Sequence, residues 1–363
     1  MLKELGEIIT GNTPSKKNEE YWNSEDICFI KPDIIADSGI SRINTSNEYI
    51  SEEARKKARV VSEDAVFVTC IGSIGKIGIV SGGEYAFNQQ INVIVPNEKI
   101  NPQYLAYNLL FNKARLVDIA NAPVVPLINK KQFGEFTINV EKNIKKQIKI
   151  VEVLDKIVYL IEKRTREITM LEKLVKARFV EMFGDPVKNT QNRPTTEFIN
   201  VVKMQRGFDL PVQDRQQDGE IPVYGSNGAL DHHNEAKVRG GGIITGRSGT
   251  IGKVFYTEGD YWPLNTSLFS VNTHGNNVIY LAYLLQMFDL TRFVEGTGVP
   301  TLNRNMFHNK QIMEVSIDEQ NQFANFVRKI DKSKLPGSIL HSYTKDKLHK
   351  RGATTWKPIS ITC

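Results

Sequence analysis

Short stretches in which apolar and polar positions alternate recur along the chain: Ala65-Val66-Phe67-Val68, Ile91-Asn92-Val93-Ile94-Val95 and Ser267-Leu268-Phe269-Ser270-Val271. A period of two turns alternate side chains to one face, so each predicts a short strand, bounded by glycines that permit tight turns. Tyr104 to Leu116 and Tyr280 to Leu290 have helical spacing instead and predict one helix each. A different pattern separates these regions. Ile150, Leu154, Ile157, Ile161, Ile168, Leu171, Val175 and Met182 follow alternating steps of four and three, broken at Arg164 and Arg178. A 3.5-residue repeat keeps one seam toward a partner helix, so Lys145 to Phe183 predicts a coiled-coil strand roughly 60 Å long. Gly184 stands where a C-terminal cap belongs, and Pro186 cannot continue the helix. The partner is expected to begin at Glu319-Gln320 with Phe323, Val327 and Ile330, as Gln147 precedes Ile150, Leu154 and Ile157. Pro336-Gly337 predicts that this second helix stops near residue 335.

The chain repeats itself. Gly72-Ser73-Ile74-Gly75-Lys76 returns as Gly249-Thr250-Ile251-Gly252-Lys253, and Asn88 returns as Asn265, both at an offset of 177. Downstream, Tyr104-Leu105-Ala106-Tyr107 matches Tyr280-Leu281-Ala282-Tyr283, Val125-Pro126 with Asn129 matches Val299-Pro300 with Asn303, and Phe133 and Ile138 match Phe307 and Ile312. A period of about 175 residues is too long for a solenoid, so each copy predicts a domain, a small α+β unit with irregular loops.

Composition adds limits. The 363 residues exceed one ordinary core, and 40% hydrophobic with 24% charged residues excludes disordered and collagenous classes. The start MLKELGEIIT is not a secretory signal and no run is apolar enough for a membrane span, so a cytoplasmic location is expected. Three scattered cysteines, Cys28, Cys70 and Cys363, argue against a disulfide framework or a zinc site. The net charge of +6 invites a nucleic-acid partner, but its location does not support that warrant. Residues 1–141 sum to −3, 142–185 to +4, 186–327 to −2 and 328–363 to +7, so the excess lies at the end of the chain.

No catalytic constellation stands in the sequence. Lys76 and Lys253 follow glycine turns, but Cys70 and Arg247 stand where a phosphate-binding P-loop has its first glycine. No dinucleotide fingerprint and no Asn/Asp-Pro-Pro-Tyr/Phe methyltransferase motif occurs. His232-His233 lacks partners for a metal, and Asp209, Asp214, Asp218 and Glu220 read as a solvated turn. What remains are duplicated glycine turns carrying lysine, with amide-rich loops. Backbone N–H groups beside a lysine suit phosphate, and Asn, Gln and Arg suit base edges.

The segments LGEIITGNTPSK at Leu5 to Lys16, GSIGKIG at Gly72 to Gly78, FNQQINVIVP at Phe87 to Pro96, YLAYNLL at Tyr104 to Leu110, KKQIKIVEVLDKI at Lys145 to Ile157 and MFGDP at Met182 to Pro186 resemble the specificity subunits of type I restriction-modification systems. GRSGTIGKV at Gly246 to Val254 and TLNRNMF at Thr301 to Phe307 carry the resemblance into the second copy. It implies an α+β protein with a pseudo-twofold repeat, two target-recognition domains joined by long helices in an antiparallel coiled coil. The expected division is domain one at 1–143, a central spacer helix at 144–185, domain two at 186–315, a shortened second helix at 316–335 and a divergent tail at 336–363.

The function implied is non-catalytic DNA recognition, each domain reading one half of a bipartite target while the helices space the readers and dock methyltransferase subunits. Partners would be double-stranded DNA and the modification and restriction subunits. S-adenosylmethionine, ATP and Mg²⁺ would belong to those partners. By position, the DNA-facing candidates are Lys76, Asn88, Gln89, Asn129 and Lys130 in copy one, and Arg247, Lys253, Asn265, Asn303 and Arg304 in copy two, with Lys76 and Lys253 for phosphate. Lys16, Lys17, Arg206 and Phe208 are weaker candidates. Rival readings are a coiled-coil adaptor that binds only protein, and a restriction or methyltransferase polypeptide with its own active site.

Overall fold

The computed structural model describes residues 1–120, 125–216, 218–296 and 300–350, with side chains described through Lys334. They form two compact units, Met1–Glu162 and Lys163–Lys350. Both are α+β.

The first unit is built on a five-stranded sheet in the order Gly6–Thr10, Ile91–Pro96, Val66–Thr69, Ile77–Val80, Ile40–Ile43. All neighbours are antiparallel except the last pair, which is parallel. One face of this sheet buries Val66, Val68, Ile77 and Ile94 against Leu105, Leu109 and Phe133. The other buries Phe67 and Val93 against a second, four-stranded sheet, from which Phe87 packs 5.2 Å from Phe67. The strands are apolar on both faces because each face is covered, as fully buried strands require. The helix expected over Tyr104 to Leu116 is two, Pro102–Phe111 and Lys113–Asp118, joined at Asn112, which stands at φ −92° and ψ 11° and whose side chain donates back to Asn108.

The second unit repeats the central arrangement as Lys203–Arg206, Ser267–Asn272, Gly242–Gly246, Val254–Thr257, all antiparallel. Against it packs the helix Val278–Phe288, where Leu281, Leu284 and Leu285 are fully buried. The four-stranded sheet has no counterpart of the parallel edge strand Ile40–Ile43.

The helix Ile144–Phe183 is unbroken for 40 residues, and Gly184 closes it at φ 78°. The heptad reading places its seam only in part. Ile150 and Ile157 are exposed, whereas Val175, Phe179 and Phe183 are buried, the two phenylalanines lying outside the predicted series. Their steps of four follow the face of a straight helix that packs on a domain core, where Phe179 lies 5.4 Å from Phe323 and Phe183 5.1 Å from Tyr280. Within this unit Arg164 donates to the Ser333 carbonyl while Phe179 meets Phe323, so the two long helices run antiparallel.

The second long helix spans Ile317–Lys350 and passes through Pro336 and Gly337, which corrects the expected stop at 335. Proline deletes one N–H and crowds the preceding turn at a cost of about 3 kcal/mol, a cost that a helix can carry as a kink rather than a stop. Of the divergent tail, residues 351–363 lie outside the described residues.

Candidate nucleic-acid interface

At one end of each main sheet, four loop segments that are distant in sequence are joined by main-chain hydrogen bonds. In the first unit, Gly11 N–H donates to Ile91 at 3.1 Å, Cys70 N–H to Gln90 at 2.7 Å, Gly72 N–H to Pro126 at 3.0 Å and Ile128 N–H to Cys70 at 2.8 Å. In the second, Gly207 N–H donates to Ser267 at 3.1 Å, Arg247 N–H to Thr266 at 2.9 Å and Leu302 N–H to Arg247 at 2.8 Å. The duplicated glycine turn is therefore zipped to Pro126–Ile128 in the first unit and to Thr301 and Leu302 in the second, with bridges at Ile71 to Leu127 and Ser248 to Thr301.

The pairing also corrects the alignment of the copies. Thr10 faces Asn92 and Arg206 faces Leu268, so this part of the repeat has an offset of 176 rather than 177. Asn88 then corresponds to Leu264, and Gln89 to Asn265. The second unit has one residue fewer in the turn before Tyr261, which the match of two asparagines concealed.

Gly11 and Gly207 explain why the loops can come so close. A Cβ at Gly11 would lie 2.2 Å from the Asn88 carbonyl oxygen, and one at Gly207 2.3 Å from that of Leu264. Beyond each glycine a side chain bridges to the equivalent turn. Thr13 Oγ1 donates to Gln89 Oε1 at 2.8 Å, and Asn265 Nδ2 donates to the Asp209 carboxylate. Gly11, Thr13 and Gly207 are not among the sequence candidates, and Asp209, which the sequence places in a solvated turn, instead holds Asn265. Their copies stand 196 residues apart because the first unit carries its additional edge strand between them and the rest of the repeat.

The candidates separate by environment. Lys76 is a strut: its side chain is only 13% exposed and its ammonium meets Asp37 at 2.9 Å and the Pro32 carbonyl at 3.3 Å. The hydrogen bond and charge of Lys76 hold the Asp37 carboxyl below its usual range. A phosphate role for Lys76 is thus not supported by its placement. Lys253 is exposed and donates to Asn227 at 2.8 Å.

Asn88 is buried and ties its own turn together through Gln90 at 2.8 Å, so it is structural too. Asn129 and Asn303 cap short helices, accepting from Gln132 at 2.9 Å and Asn305 at 3.0 Å. Their neighbours Lys130, exposed, and Arg304, half-buried, have no ion pair among the described residues. Arg247 Nε holds the Asn265 carbonyl at 3.1 Å, where the first unit has Cys70, a thiol that burial pushes up to about 12.

Among the weaker candidates, Lys16 pairs with Glu48 at 3.0 Å over the Trp22 ring. Phe208 packs 5.6 Å from Phe269 and belongs to the core. Lys17 and Arg206 are exposed. No cluster of metal-ligating side chains occurs among the described residues.

Residues 1–172 and 188–339 each match the family described as Type I restriction modification DNA specificity domain. The chain belongs to that family. It is 29% identical over 197 residues to the Type I restriction enzyme MjaIX specificity subunit of Methanocaldococcus jannaschii, a match covering 52% of this chain and 45% of the relative. The chain thus spans less than half of that relative. The Type I restriction enzyme EcoprrI specificity subunit of Escherichia coli is 21% identical over 349 residues, 91% of this chain and 86% of the relative. In fold, the chain resembles the S subunit of a type I restriction-modification system from M. genitalium, with a TM-score of 0.62 and 15% identity over 98% of this chain and 96% of the other. The two matched specificity domains each contain one copy of the zipped loop cluster.

Proposed function

We propose that the chain is a non-catalytic DNA recognition subunit whose two loop clusters each read one half of a bipartite target. The observation that carries this reading is the duplicated rim: four corresponding segments, joined by three main-chain bonds that recur in both units, present different side chains in the two. A shared frame with divergent side chains is what two readers of unlike half-sites require, since main-chain bonds fix the loops while side chains meet base edges. Family membership supports the same reading.

The long helices dock methyltransferase subunits, and restriction subunits join the assembly. Exposed Val153, Ile157, Tyr159 and Leu160 on the central helix suit such an apolar contact. Adenine methylation with S-adenosylmethionine, and cleavage with ATP and Mg²⁺, belong to those partners, and the complex works in the cytoplasm. No described helix is long and apolar enough to cross a membrane.

Mapping methylated adenines in cells carrying this chain with its modification subunit tests the reading. The expected result is a two-part sequence with a fixed unspecified gap. A single uninterrupted motif, or none, overturns it.

A further inference from the structure

The bridge between Asn265 and Asp209 has a chemical direction that the bridge between Gln89 and Thr13 lacks. An ionised carboxylate only accepts hydrogen bonds, so Asn265 must turn its NH₂ toward Asp209. Its Oδ1 and the second oxygen of Asp209 then take no other hydrogen bond among the described residues. Asp209 is exposed and has no ion pair among the described residues. The turn itself is held from behind, since Asn265 N–H donates to Phe208 at 2.8 Å and its carbonyl accepts from Arg247 at 3.1 Å. The outcome is a fixed pair of acceptors on the rim of the second unit. In the first unit the partner is the Thr13 hydroxyl, which can donate or accept, so the Gln89 amide can present either end.

We propose that Asn265 and Asp209 form an acceptor face that reads an exocyclic amino group, cytosine N4 or adenine N6, at one position of the half-site bound by the second unit. This rests on the reading of the chain as a DNA recognition subunit and names one of its base-reading elements. The amino groups of cytosine and adenine are the donors that base pairs offer in the major groove, whereas guanine O6 and N7 and thymine O4 are acceptors and would be repelled. The negative charge also disfavours a phosphate at this place, so the pair acts in discrimination rather than in general affinity.

The test is selection from a random duplex library by the full chain assembled with its modification subunits. Wild type is expected to enrich a two-part sequence with an amino-bearing base at one position of one half. Asp209→Asn lets both amides turn, and is expected to lose about tenfold discrimination at that position only, leaving the other half unchanged. Thr13→Asp is the converse variant: it fixes Gln89 with its oxygen outward, and is expected to shift one position of the first half toward cytosine or adenine. Unchanged preferences in both variants, or losses spread over both halves, overturn the proposal. If wild type enriches no two-part sequence, the recognition reading itself fails and the proposal with it.

Discussion

Gln147, fully buried near the start of the central helix, accepts a hydrogen bond from the Asn101 main-chain N–H at 2.7 Å and donates to the carbonyls of Glu141 at 2.6 Å and Lys99 at 3.2 Å. Gln320 repeats this in the second unit, accepting from Asn277 at 2.8 Å and donating to Val315 at 2.8 Å. In each unit an amide locks the beginning of a long helix to the cap of the domain's own helix, since Asn101 and Asn277 are those caps.

Gln147→Leu keeps the volume but orphans one buried N–H and two carbonyls. The expected loss is about 3 kcal/mol, read as a lower midpoint in urea unfolding. A shift below about 0.5 kcal/mol would show that water replaces the amide.

Gly11→Ala would drive a methyl group into the Asn88 carbonyl, 2.2 Å from where its carbon must sit. The backbone has to shift, at about 1 to 3 kcal/mol, and the Thr13 to Gln89 bridge should open with it. Thermal unfolding checks the first effect, and loss of preference confined to one half-site checks the second.

Lys76→Ala and Lys253→Ala should behave differently although the sequence made them equivalent. Lys76 ties down the Pro32 to Asp37 loop, so its loss should lower stability and leave the salt dependence of DNA affinity nearly unchanged. Lys253 is exposed, and if it neutralises a phosphate its loss should reduce the slope of log affinity against log salt by about 1. Binding titrations across salt, with melting curves for both variants, separate the two.

His308 accepts the Met204 N–H at 3.1 Å, and burial, aided by the charges of Arg304 and Lys203, holds it below its ordinary 6.5. The fold favours the neutral ring. Its contribution is therefore complete above about pH 6.5 and is lost as pH falls through the lower folded value. Wild type should lose more thermal stability than His308→Gln on going from about pH 7.5 to 5.5, because glutamine keeps an acceptor but does not titrate.

Strands, the long central helix and the duplication were legible because each is a local periodicity or a direct repetition. Val66–Thr69, Ile91–Pro96 and Ser267–Asn272 are strands where alternation predicted them, and Ile144–Phe183 is one helix. The second helix runs past the Pro336-Gly337 pair that predicts its end, because a proline removes one hydrogen bond and bends a helix without necessarily ending it.

The candidate interface was legible as segments but not as roles. Lys76 and Lys253 share a motif, yet only the tertiary structure brings Asp37 to the first and leaves the second in solvent. The Thr13 to Gln89 and Asp209 to Asn265 bridges join residues that no local pattern connects, and the additional edge strand of the first unit breaks the offset that would have aligned them. The sequence by itself determined the repeat, the family, the central helix and the strands that alternate, since those depend on repetition or side-chain periodicity along one chain. Which polar groups face outward as donors or acceptors was decided only by tertiary structure, because a hydrogen bond's direction depends on the partner that folding supplies.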